Sequence, residues 1–76
     1  MTKFYKEGED AYKASSLKNF RIWKRIKKKD ISNRLGIDLN MYIRIEEGYK
    51  RIDFKSAKMI SDVLEINIER IFRKLV

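Results

Sequence analysis

Residues 28–48, KKDISNRLGIDLNMYIRIEEG, carry apolar and glycine residues at the spacing of two short helices joined by a tight turn. Ile31 and Leu35 are four residues apart, which places them on one face of a first helix. Gly36 follows and, because it lacks a Cβ atom, can adopt the left-handed conformation that turns the chain sharply. The pattern predicts that the first helix ends beside Gly36.

The residues after this glycine favour a second helix that packs against the first. Asp38 is a good N-cap for it, and Gly48 is suited to end it. Tyr42 and Ile45 lie three residues apart and would form its buried face. Ser32, on the first helix, is small enough to let the two backbones cross closely. Together these features predict a helix-turn-helix, the motif that places its second helix in the major groove of DNA.

Matches to one family pattern extend on both sides of this motif. Before the motif, Leu17, Phe20 and Arg21 match the L-x-x-L-R start of the pattern, and Ile26 matches the leucine that precedes the motif. After it, residues 45–48 match I-E-x-G, and residues 53–66 match the next helix with its L-G-V end. Over roughly residues 17–72 the chain therefore resembles the Cro/CI-like (Xre) repressors of phages and bacteria. Departures from the family pattern are Lys28 for a common glutamine, Tyr42 for a smaller aliphatic residue and Glu65 for the usual glycine.

The resemblance implies an all-α fold, a five-helix lambda-repressor-like domain with its helix-turn-helix at about residues 28–48. The predicted helices lie near residues 16–25, 28–35, 39–47, 54–63 and 68–74. We assign residues 16–76 to this domain and residues 1–15 to an N-terminal extension. The extension is charge-balanced, which favours a disordered or packed segment over a minor-groove arm, because such arms are usually net basic.

The second motif helix is predicted to read DNA bases with the face opposite its buried side. This outward face carries Leu39, Asn40, Ile43, Arg44 and Glu47. Asn40 offers the acceptor and donor that match adenine, Arg44 the fork that matches guanine, and Leu39 an apolar surface for a thymine methyl group. The resemblance places these three residues at base-contacting positions, and Ile43 completes the predicted base-reading set. The alternative is a solvated helix face.

The net charge of +8 comes almost entirely from one stretch. Residues 18–29 contain seven basic residues and no acid, so the rest of the chain nets only +1. In a helix-turn-helix this stretch lies where the first motif helix meets the DNA backbone. The residues predicted to bind phosphates are Lys27, Lys28, Lys29, Arg34, Lys50 and Arg51. For any one of them, ordinary solubility is the competing interpretation.

Three further residues have a structural as well as a functional interpretation. Arg21 and Glu46, 25 residues apart, are similar to a pair that family members join across the core, so we predict a structural ion pair. Trp23 lies in the basic stretch and could stack on a base. Its helical spacing from Leu17 and Phe20 favours a core or partly buried position.

Composition argues against catalysis, cofactor chemistry and membrane insertion. The chain has no histidine, no cysteine and no glycine-rich phosphate loop, so neither an enzyme nor a cofactor or metal site is expected. Glu46 and Glu47 are adjacent and face differently around a helix, which rules out a paired acid–base site. No apolar run approaches the roughly 18 residues that span a bilayer. A soluble, cytoplasmic protein is expected.

Two functions of different classes fit these features. The first is a sequence-specific regulator of transcription that binds double-stranded DNA, acts as a repressor and forms a homodimer. The apolar C-terminal residues 66–76 form either core alone or core together with a self-association surface. The second is a protein-interaction module of the same fold, such as an antitoxin or a coactivator, with a protein partner. RNA or an anionic membrane could also bind residues 18–29, but neither explains the spacing within residues 28–48.

Overall fold

The computed structural model describes residues 11–75, and within them five helices and three short strands form the fold. The helices are α1 (Leu17–Trp23), α2 (Lys28–Leu35), α3 (Leu39–Glu46), α4 (Phe54–Leu64) and α5 (Ile68–Ile71). The strands are β1 (Ala11–Ala14), β2 (Ile52–Asp53) and β3 (Phe72–Leu75). The five predicted helices are therefore present, with shorter ends than expected for α1 and α5.

The strands form a small antiparallel sheet that an all-α prediction omits. β1 lies in the middle, where Tyr12 is opposite Ile52 of β2 and Lys74 of β3. The all-α class is thus only approximately right, since the fold is mainly helical with a three-stranded sheet. Strands of two and four residues are too short to show a two-residue alternation in the sequence, and each finds its partner far along the chain.

The helix predicted over residues 68–74 is wrong in its second half. α5 ends at Ile71, and Phe72 is extended, with φ −124° and ψ 151°. The carbonyl oxygen of Ile71 accepts hydrogen bonds from the backbone amides of Ser15 and Ser16, at 2.9 and 3.1 Å, and from the Ser15 hydroxyl at 3.1 Å. The segment after β1 thus satisfies the end of α5, and pairing with β1 then carries the chain on as a strand.

Part of the predicted N-terminal extension belongs to this sheet. Residues 11–14 are β1, and both Ala11 and Tyr12 are buried. Residues 1–10 and Val76 lie outside the described residues, and with them lies most of the segment for which a minor-groove arm was the alternative.

The core joins the helices to the sheet through fully buried aliphatic residues and one aromatic residue. Side chains with no exposed surface include Ile31 of α2, Tyr42 and Ile45 of α3, Ile52 of β2, Ile60 and Leu64 of α4, and Ile71 of α5. Asp53 caps α4, because its carboxylate accepts a 2.8 Å bond from the Ser56 amide. Asn67 precedes α5 but makes no side-chain cap bond.

Two helices end on charged residues in the left-handed conformation that glycine usually supplies. Gly36 after α2 has φ +71° and Gly48 after α3 has φ +85°, whereas Arg25 after α1 and Glu65 after α4 have φ +59° and +58°. At Glu65 the amide bonds to the Asp62 carbonyl, and the next amide bonds to that of Ser61, which is the Schellman pattern. The family pattern therefore has glycine at the position of Glu65 because the backbone there is left-handed, a conformation that glycine adopts without steric cost.

Replacing Glu65 with glycine is expected to raise the free energy of unfolding by about 1 kcal/mol. An L-residue in this conformation costs roughly 1 to 2 kcal/mol, which glycine avoids. Glycine also makes the unfolded chain more flexible, which offsets part of that stabilisation. Urea unfolding followed by circular dichroism measures the change. Glu65→Ala is the matched control, since it removes the same side chain but keeps the Cβ atom. Equal stability of the two variants would show that the backbone is not strained here.

Candidate nucleic-acid interface

The two motif helices are positioned by three local features of their sequence. Ser32 of α2 is buried, and its hydroxyl donates a 2.9 Å bond to the Lys29 carbonyl within its own helix. Gly36 turns the chain between the helices in the left-handed conformation. Asp38 caps α3 through a 2.7 Å bond that its carboxylate accepts from the Met41 amide. The turn, the end of α2 and the start of α3 thus follow local signals in the sequence.

A buried polar cluster holds α3 against α1. The Nε atom of Arg21 lies 2.6 Å from Oε1 of Glu46, and its Nη2 atom lies 3.2 Å from Oε2, so the pair is bidentate. The hydroxyl of Tyr42 donates a 2.9 Å bond to the same Glu46 oxygen. The Nη1 atom of Arg21 donates to the Ile26 carbonyl at 2.9 Å, which places the α1–α2 loop beside the end of α3. Every polar side-chain atom buried in residues 11–75 has a hydrogen-bond partner.

This cluster keeps both of its proton donors protonated. The hydrogen bond to Glu46 raises the pKa of Arg21 above its ordinary value, against the opposing effect of burial. Burial raises the pKa of the Tyr42 phenol far above its ordinary value, and the neighbouring charge of Glu46 adds to the shift. Tyr42, which replaces a smaller aliphatic residue of the family pattern, therefore has a partner for its hydroxyl.

The outward face of α3 presents the predicted base-reading residues to solvent. Asn40 and Arg44 are exposed, Leu39 is 43% exposed, and Ile43 is half-buried. Among residues 11–75, the side chains of Asn40 and Arg44 form no hydrogen bond or ion pair. The opposite face carries Tyr42, Ile45 and Glu46, all buried. The structure therefore leaves one side of a firmly held helix with unoccupied donors and acceptors.

The predicted phosphate-binding residues lie on three segments around α3. Lys27, Lys28 and Lys29 are at the start of α2, and Lys50 and Arg51 follow α3, where the amides of Tyr49 and Lys50 bond to the Arg44 carbonyl. Lys28 and Lys50 are half-buried, whereas the other residues of these two groups are exposed. Arg34 is in the last turn of α2 and lines a groove that also contains Asp30 and Val63.

The predicted burial of Trp23 is wrong, since its side chain is 71% exposed. Leu17 and Arg21, four residues apart, form the buried side of α1, and Trp23 lies about 200° around the helix from Arg21. Its ring instead packs against Phe20, with 6.4 Å between centroids, and the Nζ atom of Lys24 lies 5.5 Å from its centroid. The neighbouring Ile22, which the sequence interpretation did not single out, is exposed for the same reason.

Comparison with known proteins agrees with this geometry. The helix-turn-helix family model HTH_3 matches residues 17–71, well over half of the chain. No curated protein and no solved structure shows significant similarity to it. None of the helices in residues 11–75 is long and apolar enough to cross a membrane, and the same residues hold no cluster of side chains suited to a metal ion.

Proposed function

Because the chain belongs to HTH_3, the Xre-type, Cro/CI-like family of helix-turn-helix DNA-binding domains, we propose that it is a sequence-specific transcriptional regulator that acts as a repressor. Repression needs only occupancy of a promoter, whereas activation would need a further surface for polymerase. The observation that carries the proposal is the outward face of α3, which presents Asn40 and Arg44 without partners among the described residues.

Base reading is proposed for Leu39, Asn40, Ile43 and Arg44. The amide of Asn40 can accept from and donate to adenine at the same time, and the guanidinium of Arg44 can donate two bonds to guanine. Leu39 and Ile43 add apolar surface that matches the methyl group of thymine. The buried ion pair at the other side of α3 supports this role, because base discrimination requires a helix that does not shift when it docks.

Phosphate binding is proposed for the basic residues on either side of α3. Those at the start of α2, Lys27, Lys28 and Lys29, approach one part of the DNA backbone, and Lys50 and Arg51 approach another. Arg34, in the last turn of α2, is the sixth candidate. Contacts of this kind orient the protein on DNA without reading its sequence. A homodimer would place two α3 helices about 34 Å apart, one helical turn of DNA, on a partly symmetric operator.

Salt dependence tests the electrostatic part of this proposal. If five or six of these residues contact phosphates, the log of affinity for a mixed-sequence duplex should fall with the log of salt concentration at a slope of about −4.5 to −5.4. Fluorescence anisotropy with a labelled duplex measures the slope. A flat response would contradict phosphate binding by these residues.

A pair of double variants separates this interface from the general effect of net charge. Lys27→Gln with Lys29→Gln is expected to make the slope shallower by about 1.8, since each lost contact removes roughly 0.9. Arg70→Gln with Arg73→Gln is the matched control, because these two exposed residues lie on α5 and β3, which carry none of the proposed phosphate contacts. The control should retain the wild-type slope, and equal changes in both variants would place the DNA elsewhere.

A further inference from the structure

The outer face of α1 forms an exposed apolar surface with a basic border. Ile22 is 54% exposed and Trp23 is 71% exposed, although both are large apolar residues. Lys18 lies one helical turn before Ile22, and Arg25, just after the end of α1, donates its backbone amide to the Ile22 carbonyl at 3.0 Å. We call the surface formed by Lys18, Ile22, Trp23, Lys24 and Arg25 the basic α1 face. Exposed apolar patches bordered by polar residues mark interaction sites. Because the border of this face is basic, the matching partner is an apolar surface with negative charge.

A groove between α4 and α5 has the opposite character. Its apolar part consists of Phe54, which is 50% exposed, together with the half-buried residues Ile66 and Ile68. Its charged part contains Asp62, Glu65 and Glu69, and Lys58 offsets only one of these acids through a 2.9 Å bond to Asp62. We call it the acidic groove. It is locally negative on a chain whose net charge is +8.

The basic α1 face and the acidic groove are neighbours on one molecule. α5 contributes Glu69 to the groove, and its next residue, Arg70, places its Cζ atom 5.2 Å from the ring centroid of Phe20 on α1. Phe20 in turn packs against Trp23 of the basic α1 face. In a twofold dimer, a surface on one copy that meets a different surface on the other does so twice. Two neighbouring, complementary surfaces are therefore suited to a closed pair.

We infer that the basic α1 face of one copy docks in the acidic groove of a second copy, twice about a twofold axis. The inference names the contact surfaces of the homodimer in the proposed function, and it rests on that function. DNA is a poor occupant of the groove, because phosphates would meet the carboxylates of Glu65 and Glu69. A second copy supplies both the positive charges and the exposed Ile22 and Trp23 that the groove lacks.

Charge reversal tests this pairing in the absence of DNA, with sedimentation equilibrium at low salt as the measurement. The docking places Lys18 of one copy opposite Glu69 of the other, so Lys18→Glu and Glu69→Lys should each raise the dimer dissociation constant about tenfold by bringing like charges together. The double variant restores opposite charges in both contacts and should return the constant to within about threefold of wild type. Arg73→Glu changes net charge as Lys18→Glu does, but on the exposed edge of β3, and should have little effect.

Removal of the apolar anchor gives a second test with its own control. Trp23→Ala should raise the dissociation constant by tenfold or more, since exposed aromatic residues dominate such contacts. Tyr49→Ala is the control, because Tyr49 is an exposed aromatic residue, 76% accessible, outside both surfaces. Neither substitution removes a buried side chain, so both variants should fold.

The outcomes separate this inference from the proposed function. Weakening by each single reversal together with recovery in the double variant supports the docking. A wild-type monomer at every concentration, a dimer that these changes leave intact, or a double variant without recovery would overturn it. Sequence preference on DNA is measured independently. A monomer that still selects a DNA sequence would refute the proposed dimer contact but would not affect the proposal that α3 reads DNA bases.

Discussion

Replacement of Glu46 with alanine is expected to lower the free energy of unfolding by about 3 to 5 kcal/mol, the usual cost of breaking a buried ion pair from one side. Without this carboxylate, the guanidinium of Arg21 loses a bidentate partner and the Tyr42 hydroxyl loses its acceptor. Both groups would remain buried between α1 and α3. Because small domains have only about 5 to 15 kcal/mol of stability, this loss is a large share of the total.

Urea unfolding followed by circular dichroism measures this effect, and the adjacent residue supplies the control. Glu47→Ala makes the same chemical change at an exposed position and should alter stability by less than about 0.5 kcal/mol. Tyr42→Phe removes a single hydrogen bond from the cluster and should cost about 1 kcal/mol. Equal stability of Glu46→Ala and Glu47→Ala would show that the ion pair does not hold α3 in place.

Replacement of Asn40 and Arg44 with alanine is the change expected to affect DNA recognition most. Each substitution should cost about 1 to 3 kcal/mol on a preferred sequence and relax the preference at one base pair. If the two sites act independently, the effects on the double variant should add. Both side chains are exposed, so the folded state should be retained. Competition binding with single-base variants of the preferred duplex measures the loss at each position.

Arg51→Ala provides the comparison for this prediction, since Arg51 is an exposed arginine proposed to bind a phosphate. It should weaken binding to all sequences by a similar factor and make the salt slope shallower by roughly 0.9. A uniform loss in Arg44→Ala, with the base preference unchanged, would instead assign Arg44 to the DNA backbone. Unchanged affinity in the Asn40 and Arg44 double variant would show that α3 does not contact the DNA bases.

The parts of the fold that were predictable from the sequence depend on local signals. Gly36 and Asp38 fix the turn of the helix-turn-helix through backbone freedom and a side-chain cap, and both act within a few residues. The spacing of Tyr42 and Ile45 determines which face of α3 is buried and therefore which residues point outward. The same local reasoning defined the candidate base-reading residues.

The parts that were not predictable depend on contacts distant in the sequence. Ala14 of β1 is paired with Phe72 of β3, and this pairing decides that a helix-like apolar segment continues as a strand. Trp23 was misplaced because α1 has only seven residues, so its buried side is set by Leu17 and Arg21 alone. The Arg21 partner on α3 is visible in the sequence only through the family resemblance, since nothing local joins residues so far apart.

Selection of bound DNA from a random duplex pool at near-physiological salt tests the central claim most directly. Sequence-specific reading by α3 predicts enrichment of a defined motif, which a homodimer would show as an inverted repeat with half-sites about one helical turn apart. The Asn40 and Arg44 double variant should lose that enrichment while it remains folded. A folded wild-type protein that enriches no sequence would contradict the claim that this helix reads bases.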